Sequence, residues 1–464
     1  MRSKTFYRAV ALLPTLLLLI ISLAPTCFAA GGVGEVNLHI GQSSGIVYLT
    51  YTSSDRAAAP VTVTGPGGTA SYPVSSVQSD SAGKYIHRAT LTGLSAGTDY
   101  TYTLENGAYR SGFTTAARTG RFTFAFLADT QIASGSDAKA TAAMFDQLNR
   151  LNGLAFVYMA GDFTDSRNER QWELLFRGGG AHAGAGQKFL GSHLLAAAQG
   201  NHDSAAFGGH IAPPSAGKAV GNVVYSFDYS NMKFIVLNLN NADARSAQAD
   251  FLRQEVSKAK DAGQWVIVGF HQSLYSGAEH IVDNQIISAR KFWSPLLAEL
   301  GVDVVLQGHD HVHARGFVTA QGKNAGLTAT RNAFPAGSGA PLYLTGGESG
   351  AAKWYNDRKY SVQQGDPLAP NYGFLEVNSA VPAQNRWGTD TSETHEQTYT
   401  LVSVIGDEIR FRTYMFRYDG KADRMITAPY LYDSLTLRRS NAPRQKQEKG
   451  RLPVRWMKAL LEAA

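Results

Sequence analysis

Five short apolar runs in this 464-residue chain each end in side chains able to bind a metal. Phe122–Leu127 leads to Asp129-Thr130-Gln131, Phe156–Ala160 to Gly161-Asp162-Phe163-Thr164-Asp165, and Leu194–Ala198 to Gly200-Asn201-His202-Asp203. Trp265–Phe270 closes on Val268-Gly269-Phe270-His271, and Val302–Leu306 leads to Gly308-His309-Asp310-His311. A crevice receiving all five would collect two carboxylates, an amide oxygen and three imidazoles. That mixed oxygen and nitrogen set suits hard-to-borderline divalent or trivalent metals, not copper(I) or an iron–sulfur cluster. Each piece alone has an ordinary reading, since Gly-Asp after a strand is usually a turn and Asn-His usually a loop. The repetition at the end of every apolar run is the signal.

Such ends converge only if the runs are strands of one open α/β layer, where ligands gather beyond the carboxyl ends. From Arg121 onward the apolar runs, with a further one at Phe234–Leu239, alternate with helical spacing over Ala138–Leu151 and Ala247–Ala262. The pattern predicts a layered α/β domain over 121–437 with strands buried on both faces. Later strands are expected at Leu342–Thr345, Phe374–Val377, Tyr399–Val404 and Glu408–Met415. Residues 30–117 read differently. Short alternating runs (Glu35–Ile40, Ile46–Tyr51, Val61–Val63, Tyr85–Leu91, Tyr100–Leu104) separated by turns such as Gly65-Pro66-Gly67-Gly68 predict a small all-β sandwich. Two other patterns carry no chemistry. His395-Glu396-Gln397-Thr398-Tyr399 lacks the second histidine of a zinc-protease helix, and Gly178–Gly186 lacks the Gly-Lys-Ser/Thr of a phosphate cradle.

The blocks Gly161-Asp162, Gly200-Asn201-His202, Val268-x-x-His271 and Gly308-His309-x-His311 resemble those of the calcineurin-like metallophosphoesterases, and among them the purple acid phosphatases. Segment Leu91–Tyr100 resembles the tyrosine corner of fibronectin type III domains, which that family places before its catalytic domain. The resemblance implies two metal ions, iron, manganese or zinc. Asp162 would bridge them, with Asp129 and His311 on the first and Asn201, His271 and His309 on the second. It also implies in-line attack on phosphorus by a hydroxide held between the metals. His202 would protonate the leaving oxygen, and His280 would add a substrate contact. There are two departures. The family's tyrosine three positions after the bridging aspartate is Asp165 here, and the superfamily's histidine two after the first aspartate is Gln131. Gln131, Asp165 or water is then left to complete the first metal, and the colour that the tyrosine gives purple acid phosphatases is not expected.

Composition bounds the rest. Apolar residues make up 44% and charged residues 17%, which excludes wholesale disorder. The net charge of +6 belongs to the ends, leaving the body at about −3, so nucleic acid is not expected as a partner. Arg2, Lys4 and Arg8 precede the apolar stretch Ala9–Ala24 and the small residues before position 30, which reads as a secretory signal over 1–29. Secretion or periplasmic export follows, and a retained membrane anchor is the alternative. Cleavage there would remove Cys27, the chain's one cysteine. Residues 438–464 read as a basic tail, able to make weak contact with an anionic envelope surface. The sequence thus points to an exported phosphomonoesterase acting on small phosphorylated substrates. The alternatives are a phosphodiesterase or nucleotidase on the same site, or a binding protein whose metal site is impaired at Gln131 and Asp165.

Overall fold

The computed structural model describes residues 32–439 apart from 82, 167, 204–206, 218, 222, 277, 323–332, 337–338 and 354–395. The apolar start with Cys27, the expected strand Phe374–Val377, His395 and everything beyond Arg439 lie outside the described residues.

Two sheets form the α/β half. Strands Phe122–Leu127, Leu154–Met159 and Leu194–Ala197 pair in parallel at the centre of the first, with Tyr158 between Phe126 and Ala196. The second has the order Tyr225–Tyr229, Met232–Val236, Trp265–Gly269, Val304–Gln307, Leu342–Thr345, Ala314–Phe317, and its middle four strands are parallel. Their near-continuous apolar sequences follow from burial on both faces. Aromatic rings join the layers: Phe156 meets Phe227 edge-on at 5.4 Å, and Tyr158 lies 4.8 Å from Phe234. Helix Gly135–Asn149 packs with helices Glu169–Arg177 and Ala185–Leu190, and Arg245–Asp261 covers Met232–Val236 and Trp265–Gly269. Ser134 starts the first of these helices through a capping box with Asp137, which satisfies amides that the first turn leaves open.

The strands before residue 115 form two layers. Asp99–Leu104, Tyr109–Thr114, Val61–Gly65 and Gly68–Tyr72 make a four-stranded sheet. Within it the Tyr100 hydroxyl accepts the Ser95 amide at 2.9 Å, the bond that closes a tyrosine corner. The other layer, Gly34–Ile40, Val47–Ser53, Tyr85–Leu91 and Ser75–Gln78, continues the first of the two α/β sheets. Gly34–Ile40 pairs in parallel with Leu194–Ala197, Leu38 opposite Leu194. On the opposite edge Gln397–Ile405 lies antiparallel to Phe122–Leu127, followed by the long hairpin of Glu408–Asp419 and Arg424–Arg439. Arg438 and Arg439, assigned by sequence to the tail, are the last two residues of that hairpin. Arg438 bonds Glu408 at 2.7 Å, and Arg439 stacks over Trp265 at 4.4 Å.

Candidate metal centre

The strand ends come together because glycines let their loops touch. Gly161 has φ +93°, and a Cβ there would lie 2.6 Å from the Gly200 nitrogen and 2.9 Å from His271 Nδ1. A Cβ on Gly200 would stand 2.0 Å from the Asp162 carboxylate. Asp129, Gln131, Asp162, His309 and His311 all have positive φ, between 32° and 75°. Non-glycine residues held there cost about 1–3 kcal/mol each, and such strain gathers at functional sites. Asp203 binds the second and third loops together, its carboxylate accepting the amides of Asp162 (2.8 Å), Phe163 (2.9 Å) and Gly200 (2.9 Å).

One set of donors closes tightly. His271 Nδ1 faces the Ala160 carbonyl at 2.8 Å; a carbonyl only accepts, so in the neutral ring the proton is on Nδ1 and Nε2 keeps its lone pair. Around Nε2 lie Asn201 Oδ1 at 2.9 Å, an Asp162 oxygen at 3.2 Å and His309 Nδ1 at 3.2 Å. His309 Nε2 is buried without a hydrogen-bond partner. An octahedral shell with bonds of about 2.1 Å puts neighbouring ligands about 3 Å apart. Asp162, Asn201, His271 and His309 therefore fit a single cation.

A second set is looser. Asp129 accepts the His309 amide with both oxygens at 2.9 Å, and His311 Nε2 is 3.7 Å from it. Gln131 is fully buried; its Nε2 donates to Asp165 at 3.0 Å, and its Oε1 has no partner. Asp165 is 41% exposed at its side chain. The amide oxygen of Gln131 is thus the buried acceptor of the two candidates, and Asp165 fixes its orientation. Tyr158 is fully buried, and its hydroxyl packs against Gly269 within the core.

Electrostatics follow from burial and from the imidazoles that face each carboxylate. Burial raises Asp129 to about 7 despite His311 and His271. It opposes ionisation of Asp162 too, but His271, His202 and His309 outweigh it and hold that carboxyl below its usual range. His271 moves up to about 9, burial being overcome by Asp162 and Asp129. A bound dication takes the place of such imidazole protons.

His202 and His280 stand at the rim. The His202 amide donates to Asp162 at 2.8 Å and its Nδ1 to the Asp165 carbonyl at 2.7 Å, with the side chain 30% exposed. His280 Nδ1 donates to Asp283 at 2.7 Å, and its ring stacks on His309 at 4.3 Å. Arg315, just past the last histidine, is held by Asp433 at 2.7 Å.

Three buried carboxylates have roles that sequence reasoning missed. Asp203 and Asp310 sit inside the quoted blocks, the latter accepting the His280 amide at 2.9 Å. Glu348 follows a sixth strand, Leu342–Thr345, in Gly346-Gly347-Glu348, and so repeats the very pattern that found the other five.

Residues 122–313 match the family described as calcineurin-like phosphoesterase. Over those residues the chain is similar to the calcineurin-like phosphoesterases. Its fold is similar to that of a purple acid phosphatase. The structure superposes on purple acid phosphatase PPD1 from yellow lupin (Lupinus luteus) seeds with TM-score 0.64 and 15% identity, over 88% of this chain and 75% of that one. Vps29 of Chaetomium thermophilum overlaps at TM-score 0.32 and 11% identity, over 68% of this chain and 99% of its own. No curated protein sequence matches the chain.

Proposed function

We propose that the chain is an exported, binuclear-metal phosphoesterase that prefers small phosphomonoesters. One observation carries the reading: Asn201, Asp162 and His309 each bring a donor atom within 2.9–3.2 Å of His271 Nε2. Asp162 would be shared between the two metals, Asp129 and His311 would hold the first, and Gln131 Oε1 is the acceptor available to complete it. A metal pair, when bound, supplies Lewis-acid charge to the phosphoryl oxygens and acidifies water. The chain's own groups do the rest. With Nδ1 tied to the Asp165 carbonyl, His202 exchanges its proton at Nε2 and serves the leaving oxygen. Asp283 orients His280 in the same way for contact with the substrate. Asp203 and Asp310 hold the loops that carry these groups.

The β region before residue 115 is read as fibronectin type III-like, on its two layers and the Tyr100–Ser95 bond. Export rests on the sequence pattern of residues 1–29. The test is metal analysis of the purified protein alongside turnover of a monoester and a diester. Two metals per chain with faster monoester cleavage are expected. A metal-free, inactive protein would favour the impaired binding protein, and faster diester cleavage the diesterase.

A further inference from the structure

The His311 ring has a partner on the side away from Asp129. Its Nδ1 lies 2.9 Å from the Lys353 carbonyl and also against a carboxylate oxygen of Glu348. The carbonyl only accepts, so the proton of the neutral ring sits on Nδ1, with the Glu348 carboxyl beside it. Nε2, the nitrogen nearer Asp129 at 3.7 Å, is then left as the donor. Glu348 itself is fully buried and reaches this place through close loop contacts. Ser349 donates its amide to the Ala128 carbonyl at 2.9 Å, and its hydroxyl accepts the Ala128 amide at 3.0 Å. A Cβ on Gly350 would come within 2.2 Å of the Thr130 carbonyl and 2.8 Å of Glu348 Oε1. The loop is therefore built to press Glu348 between His311 and the Asp129-Thr130-Gln131 segment. The Ala352 amide at 3.3 Å holds the other carboxylate oxygen.

We infer that Glu348 is the positioning residue of the first metal, packed against the Nδ1 edge of His311 and holding that ring in the orientation that presents Nε2. The inference rests on the binuclear reading above. Carboxylates that accept the outer N–H of a ligating histidine do this in metal sites generally, and losing one costs ~10–100-fold in metal affinity. The role also offsets what this site lacks: with Asp165 and Gln131 standing where stronger ligands would be, a firmly oriented His311 compensates.

The experiment is manganese(II) titration of the full chain, followed by electron paramagnetic resonance, for wild type, Glu348→Gln, His311→Ala and the double variant. Wild type should take up two ions and show the signature of a coupled pair. Glu348→Gln should lose ~10–100-fold in affinity for one ion only, leaving the spectrum of an isolated ion at intermediate manganese. If Glu348 acts through His311, the double variant should be no worse than His311→Ala. Unchanged affinity in Glu348→Gln, or losses that add in full, would overturn the inference. If Glu348→Gln folds poorly, Glu348→Asp keeps the charge at shorter reach and should show a partial loss, wild-type affinity again overturning it. A wild type that binds fewer than two ions would instead overturn the binuclear reading, and this inference with it.

Discussion

Two clusters in this molecule offer a metal the same kinds of atoms. One is Asp162, His271 and His309 at the strand ends; the other is Glu35, Glu169 and His210, where the N-terminal strands meet helix Glu169–Arg177. They differ in where positive charge comes from. In the second cluster Lys84 contacts Glu35 and lies 3.2 Å from Glu169. His210 turns Nδ1 to Glu35 at 2.8 Å and Nε2 to Glu169 at 3.1 Å. With a carboxylate on each side, the His210 imidazole is raised above its usual value, so the seam draws its positive charge from Lys84 and His210. At the strand ends, by contrast, no lysine or arginine among the described residues pairs with Asp129 or Asp162, and His271 spends its outer proton on a carbonyl. A buried charge needs a partner. One cluster finds it within the chain and becomes a seam; the other must import it and becomes a site.

The sharpest way to break this contrast is Asp162→Asn. Several kcal/mol of transition-state stabilisation are at stake, so turnover of metal-loaded protein should fall by about 10³-fold or more. Stabilisation by manganese in thermal unfolding should shrink with it. Near-normal turnover would sink the binuclear reading. His202→Ala is next in size. It should cost ~10²–10⁴ on esters with poor leaving groups and much less on nitrophenyl esters, which need little protonation. Equal losses on both would make His202 an orienting residue for Asp162 alone.

The residues behind these tests were legible in the sequence to unequal degrees, for physical reasons. Asp129, Asp162, Asn201, His271, His309 and His311 each follow an apolar run whose strand forms where expected, so position along the chain gave position in space. Glu348 follows the same rule after Leu342–Thr345 but has no histidine beside it to draw attention. Asp203 and Asp310 do their work on backbone amides, which sequence does not display. Helix Asn284–Glu299 was hidden by its internal Pro295, and strand Arg424–Arg439 by a half-exposed surface with no clear apolar alternation. The continuity of the N-terminal layer with the first α/β sheet depends on Leu38 meeting Leu194, a pairing too distant for any local pattern. Nor was the Glu35–Lys84–Glu169–His210 seam visible, since its members come from four separate segments.

Lys84→Met sharpens the contrast from the other side. It strands buried Glu35 beside Glu169, which should destabilise the fold by roughly 1–3 kcal/mol in urea unfolding, with turnover and active-site manganese uptake unchanged. If the lysine is what keeps metal out of the seam, this variant should also gain stabilisation by zinc(II) that wild type lacks at the seam. Loss of turnover without loss of stability would mean that the two clusters are coupled.

The smallest expected effect is the pH dependence of the seam, and its direction separates the clusters. Burial works against the charge on His210, but Glu169 and Glu35 outweigh it and raise the imidazole above its usual 6.5. Its contribution is therefore complete below pH 6.5 and fades as pH rises through the raised value. Burial likewise opposes ionisation of Glu169, yet His210 and Lys84 pull the carboxyl down from 4.5 to about 2. That contribution is complete above pH 4.5 and fades as pH falls toward 2. Metal-free protein, where only the seam still holds its own counter-charges, should be flattened at both ends when His210→Gln is compared with wild type. The difference in unfolding free energy between the two should be greatest between pH 4.5 and 6.5 and shrink on either side. A difference that instead grew steadily with pH would show that His210 is neutral in the folded chain, and the charge balance ascribed to the seam would fail.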